Sequence, residues 1–149
     1  MLINIYNKKN TLEGGPQSVG DNFNCSNNEL TTLEGAPQSV GGSFLCSDNK
    51  LTTLEGGPQS VSSFYCNKNK QLKSLEHLPQ YIDKEEVHFQ STAVYEIFKL
   101  LDNFSLGAIR YVNDLEVVVD DKINIEVLND LLYEQGKPSV ENVIGYSNI

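Results

Sequence analysis

Thr11–Val19 reads TLEGGPQSV, Thr32–Val40 reads TLEGAPQSV and Thr53–Val61 reads TLEGGPQSV, one nine-residue phrase at intervals of 21. Repeats with a fixed period of roughly 20–30 residues specify a solenoid, because each unit buries its apolar face only against its neighbours. Around this phrase the rungs align as Phe23-x-Cys25-x-x-Asn28-x-Leu30 and Phe44-x-Cys46-x-x-Asn49-x-Leu51. The third is Phe64-x-Cys66-x-x-Asn69-x-x-Leu72, with one residue lost before the Phe and one added after the Asn. A degenerate fourth follows from Leu75 to Ile82, with Val87-His88-Phe89 as its strand. Leu2–Tyr6 reads as an edge strand over the first rung.

Phe and Cys two apart point to one face of a short strand, and stacked strands form a parallel sheet about 4.8 Å apart. Asn28, Asn49 and Asn69 fall where the chain leaves that strand. An amide there can donate and accept, satisfying backbone groups the stack would otherwise bury unpaired. Leu12, Leu33, Leu54 and Leu75, with Val19, Val40, Val61 and Ile82, line the convex side of the core. Cys25, Cys46 and Cys66 recur at the repeat period, so they read as a ladder of small buried hydrophobes rather than a metal set.

The EGGP turn is legible in more detail. Proline pushes the residue before it toward extended backbone, and that residue varies as Gly15, Ala36, Gly57 and Leu78. Positive φ therefore belongs one position earlier, at Gly14, Gly35, Gly56 and His77. Glu13, Glu34, Glu55 and Glu76 form an acidic column, read as carboxylates that accept from turn N–H groups in preference to a calcium ladder.

F-x-C-x-x-N-x-L resembles the leucine-rich repeat consensus L-x-x-L-x-L-x-x-N-x-L. The run CSxNxLTTLEGxPQSV is similar to the short repeats of bacterial secreted effectors and, more closely, to those of proteins of large tailed phages. VYEIFKLLDN (94–103) and DKINIEVLNDLLYEQGKP (121–138), leading to GYSNI, also resemble the phage group. The resemblance implies an α+β protein: a short leucine-rich-repeat solenoid of about four rungs over residues 1–90, with a parallel β-sheet. A C-terminal helical α/β subdomain at 91–149 caps it.

Within that cap, Ser91 is placed to N-cap a helix carrying Val94, Ile97, Phe98, Leu101 and Phe104 at i, i+3, i+4, i+7 spacing. Ser105 opens a second helix through Asn113, and Leu115–Val119 reads as a strand with a turn at Asp120–Asp121. The last helix runs from about Asn124 to Gln135, stopped by Gly136 and Pro138, with Ile125, Leu128, Leu131 and Leu132 as its stripe. Its first duty is to close the open end of the solenoid.

Twenty acidic against 11 basic side chains give a net charge of −9, which argues against a nucleic-acid partner. No apolar run approaches a membrane span, and the N-terminus lacks the pattern of a signal peptide, so a cytoplasmic setting is expected. An odd number of thiols fits a reducing compartment. No catalytic arrangement, metal site or cofactor motif emerges, and the expectation is a protein without enzymatic activity. Asp114, Glu116, Asp120 and Asp121 read as solvated turn acids rather than a metal site or a DNA-mimicking face.

What remains is a face repeated in backbone and varied in side chain. Between the constant Phe and Cys the outward residues are Asn24, Leu45 and Tyr65, then His88. Just past the Cys slot come Ser26, Ser47, Asn67 and Gln90, followed by Asn27, Asp48 and Lys68. Aliphatic and aromatic anchors rimmed by polar groups form a protein-binding patch. The first expectation is a module binding another protein through Asn24, Leu45, Tyr65, His88, Asp48, Lys68 and Asn67. The phage resemblance implies a host defence or housekeeping protein as the partner. The alternative is a structural or assembly protein that self-associates through its sheet edge or acidic cap.

Overall fold

The computed structural model describes residues 2–149. Among the described residues, nine strands and three helices follow one another: β1 (Ile3–Asn4), β2 (Ser18–Val19), β3 (Phe23–Asn24), β4 (Ser39–Val40), β5 (Ser43–Leu45), β6 (Ser60–Tyr65) and β7 (Tyr81–His88), then α1 (Tyr95–Leu101), α2 (Leu106–Asp114), β8 (Val118–Val119), β9 (Lys122–Ile123) and α3 (Ile125–Glu134). The first seven strands form one parallel sheet that winds as a solenoid of about four turns. The class is α+β.

Each early rung contributes two short strands to two columns, β1-β3-β5 and β2-β4, which merge at β6. The missing residue of the third rung explains the merger. Gly41 and Gly42 separate β4 from β5, whereas only Ser62 and Ser63 join Val61 to Phe64, so β6 runs unbroken. In β7 the chain is longer again, and the register shifts between Val61 and Ser63, with Glu85 at φ 52°. That is a bulge, the means by which a strand absorbs surplus residues without losing its face.

The core of the first three rungs is a stack of like layers. Phe23, Phe44 and Phe64 lie 5.4 Å apart centroid to centroid at 12° and 9°, and the three thiols beneath them are buried. Offset stacking of this kind adds about 0.5–1.5 kcal/mol per pair beyond burial. The fourth rung swaps the sizes: Val87 pairs with Phe64, and Phe89 takes the slot of the cysteines. Phe89 then turns edge-on to Tyr95 and Phe98, at 5.4 and 5.3 Å, and so hands the core over to the cap.

The asparagine ladder holds the corners. Asn49 Nδ2 donates to the carbonyls of Cys25, Cys46 and Ser47, and its Oδ1 accepts from Leu30 N–H at 3.0 Å. Asn28 and Asn69 repeat the pattern one rung away on either side. The residue before each Asn is left-handed: Asn27 at 59°, Asp48 at 55° and Lys68 at 58°.

Ser91 at 59° occupies that same slot in the fourth rung, so it does not cap α1 as its position had suggested. Thr92 stands where the asparagines stand; its Oγ1 donates to Phe89 O at 2.7 Å and accepts from Tyr95 N–H. Val94 fills the leucine slot and bonds back to Leu72 O at 2.9 Å. The first helix grows out of a rung, which is why Val94 precedes it without a side-chain cap.

Ser105 and Asn124 cap α2 and α3 by accepting from Ala108 and Val127 N–H, and Gly136 ends the last helix region at φ 68°. The strand expected at Leu115–Val119 is shorter. Leu115 is the C-cap of α2 and Glu116 is left-handed, so only Val118–Val119 remain to pair with Lys122–Ile123.

Three cap side chains stand in for a fifth rung. Thr31 O accepts from Thr52 N–H, and Gln59 O from Tyr81 N–H, whereas the last rung has no successor. Tyr146 Oη donates instead to Lys73 O at 2.6 Å, Asn113 Nδ2 to Leu75 O at 3.1 Å, and Arg110 to Pro79 O and Gln80 O at 2.8 and 3.3 Å. Burial, and then the charge of Asp121, hold the Tyr146 phenol above its ordinary pKa, so it stays a donor. Among the described residues, no helix is long and apolar enough to cross a membrane.

Candidate functional site

The in-register ladder aligns Asn24 with Leu45, Leu45 with Tyr65 and Tyr65 with His88. Inward residues of these strands are buried, and strand alternation sends this row to the opposite face. All four are half-buried. The Tyr65 and His88 rings stack at 4.2 Å and 6°, a platform set by cross-strand spacing. His88 Nε2 is 3.8 Å from Glu86 Oε2, too far for a hydrogen bond, and is buried with no hydrogen-bond partner among the described residues.

Asn4, aligned with Asn24, begins the same row. The signal for it was present, since Ile3-x-Ile5 repeats the Phe-x-Cys spacing. Beside it runs a second row that the sequence reading passed over: Ser43, Ser63 and Glu86 in register, with the two serine hydroxyls 3.1 Å apart. These precede the Phe slot by one and alternate onto the same face as the residues that follow it.

The remaining expected positions divide. Asn67 Oδ1 accepts from Gln90 N–H at 3.0 Å, so its acceptor is engaged in joining rungs. Asn24 Oδ1 likewise accepts from Ser26 N–H. Asp48 and Lys68 lie past the sheet, at the left-handed corner, where both are exposed. With Thr31, Asn49, Lys50, Thr52, Lys70 and Gln71 they line a cleft of about 520 Å³.

The thiols sit on the inner face. Burial pushes Cys25 and Cys66 up to about 12, and raises Cys46 well above its usual value with help from its two thiol neighbours. A protonated buried thiol is a poor nucleophile and a poor ligand. His77 occupies the positive-φ turn slot at 66°, beside the glycines at 81°, 87° and 82°.

The glutamate column is exposed, and the turns are closed differently from the expectation. Thr11, Thr32, Thr53 and Ser74 hydroxyls accept from the N–H of Glu13, Glu34, Glu55 and Glu76 at 3.1–3.4 Å, a role the sequence reading had given to the carboxylates. A hydroxyl two residues back reaches that N–H without bending the turn. Asp114, Glu116, Asp120 and Asp121 are exposed on α2, its C-terminal turn and the β8–β9 turn. Among the described residues, no group of three or more His, Cys, Asp or Glu side chains is placed to hold a metal ion. Comparison with known protein families, curated proteins and solved structures returns no match for this chain.

Proposed function

We propose that this chain is a non-enzymatic protein-binding module that engages its partner through the outer row Asn24, Leu45, Tyr65 and His88. The observation that carries the reading is the register: four different side chains occupy one aligned row above an almost constant inner layer. A scaffold that keeps its core and varies its face suits recognition, and the Tyr65–His88 stack beside Leu45 is a ready apolar anchor. The leucine-rich-repeat resemblance supports the use of this face, and the phage resemblance supports a host protein met in the host cytoplasm as the partner.

The test is affinity capture from bacterial host lysate with the full chain and its Tyr65→Ala variant. A stoichiometric partner should be retained by the parent and weakened by about 1–3 kcal/mol in the variant, with the melting temperature nearly unchanged. Loss of fold together with binding would place Tyr65 in the core and end this reading. The second reading, self-association through the sheet edge, is favoured by β1, an end strand flanked by exposed Leu2 and Tyr6. It predicts oligomers and no retained partner.

A further inference from the structure

We propose that the cleft at the third rung's corner takes an acidic segment of the protein partner, next to the apolar anchor. This rests on the reading of the outer row as a protein-binding surface and names the chemistry of what binds beside it.

The first observation is an interruption of the ladder. In the first two rungs the residue after the ladder asparagine bonds back across the stack, Glu29 N–H to Lys9 O at 2.8 Å and Lys50 N–H to Leu30 O at 2.9 Å. In the third rung one residue is added, and among the described residues Lys70 makes no such bond. Leu72 N–H turns back to Asn69 O within its own corner instead. The cleft of about 520 Å³ lies at this break, with Lys70 and Gln71 in its lining. A break in an otherwise consistent repeat is where function is expected to override regularity.

The second observation is charge. The corner segments 7–10, 26–31, 47–52 and 67–73 hold six lysines, Lys8, Lys9, Lys50, Lys68, Lys70 and Lys73, against Glu29 and Asp48. The rest of the chain carries eighteen acidic residues and five basic ones. Lys50, Lys68 and Lys70 line the cleft together with Asp48. Only Lys50 of these three has an ion-pair partner among the described residues, an exposed Glu29 at 3.7 Å.

The third is proximity. Leu45 and Tyr65 lie three residues before Asp48 and Lys68, at most about 10 Å of extended chain. A partner seated on the stacked rings therefore lies within about 10 Å of the corner residues that line the cleft. Screening over about 8 Å at physiological salt lets the lysines act at contact while the acidic remainder repels an extended polyanion. That favours a short acidic protein segment over a nucleic-acid duplex.

The experiment titrates the isotope-labelled full chain with two synthetic peptides of equal length, each with a central Phe, one flanked by Glu and the other by Lys. Amide shifts should centre on residues 45–50 and 65–71. The Glu peptide should bind about tenfold more tightly than the Lys peptide, and lose that advantage near 1 M salt, where the screening length is about 3 Å. Lys68→Glu with Lys70→Glu should erase the preference, and Lys68→Arg with Lys70→Arg should keep it; both residues are exposed, so folding should be unaffected. Equal binding of the two peptides, or binding of neither, overturns the proposal. So does duplex RNA that competes as well as the Glu peptide, or salt-sensitive self-association that buries the cleft against the glutamate column of a second copy. If Tyr65→Ala weakens both peptides equally and the lysine reversals weaken neither, the outer row stands and the acidic segment falls. If the reversals matter and Tyr65→Ala does not, the cleft stands and the reading of the row falls.

Discussion

Gly14 and Gly56 hold the same turn slot at 81° and 82° but face different neighbours. A Cβ on Gly14 meets nothing within 4 Å, because no rung precedes it, whereas on Gly56 it would lie 2.6 Å from the Glu34 backbone. Left-handed backbone costs a non-glycine residue about 1–2 kcal/mol. His77 shows that this alone is tolerable. Backbone collision adds about 1–3 kcal/mol more. Gly14→Ala should therefore cost about 1 kcal/mol and Gly56→Ala at least twice that, read as urea midpoints at constant slope. Equal costs would mean that the rungs are not stacked at this spacing. The positive φ was legible in the sequence, since the variable residue before proline excluded the neighbouring position. The close approach was not, because it is a property of the rung behind.

Elements in this chain end where hydrogen bonds would otherwise go unmade. Arg110 and Asn113 come from α2 and Tyr146 from the C-terminal segment, yet each reaches a carbonyl of the last full turn. Deleting one donor leaves a partly buried acceptor unpaired, at about 1–3 kcal/mol. Tyr146→Phe keeps the ring and removes only the donor, so it should lower stability by about that amount and speed amide exchange in the C-terminal segment that crosses Ile123. A variant as stable as the parent would show that water serves Lys73 O equally well. Lys137 plays a similar part for α1, donating to Leu101 O. Helix positions were readable from Ser105 and Asn124, whose short polar side chains announce N-termini. The hydroxyl of Thr92 in an asparagine slot was not, because it lacks the amide that marks the other rungs.

On the scale of the molecule, the cap and the solenoid share one core: Phe89 contacts Tyr95 and Phe98, and Ile97, Phe98 and Leu101 are buried with it. Truncation after Gln90 would remove Thr92 and Val94, which complete the fourth rung, and would expose Phe89. We expect that fragment to aggregate, and the cap alone to be poorly folded, by circular dichroism and sedimentation. A soluble, monomeric and cooperatively melting 1–90 would instead make the cap an independent domain. Attention would then pass to its acidic turn at Asp114–Asp121.

The repeat by itself determined the solenoid, the inward Phe and Cys, the asparagine ladder, the left-handed turn slot and the aligned outer row, because each follows from local spacing copied at a fixed period. Tertiary structure decided the rest: the merger of two strand columns at β6, the bulge in β7, the donors that replace a fifth rung, and the basic cleft. These arise where the period slips by a residue or stops, and there the partner of each group lies in another part of the chain.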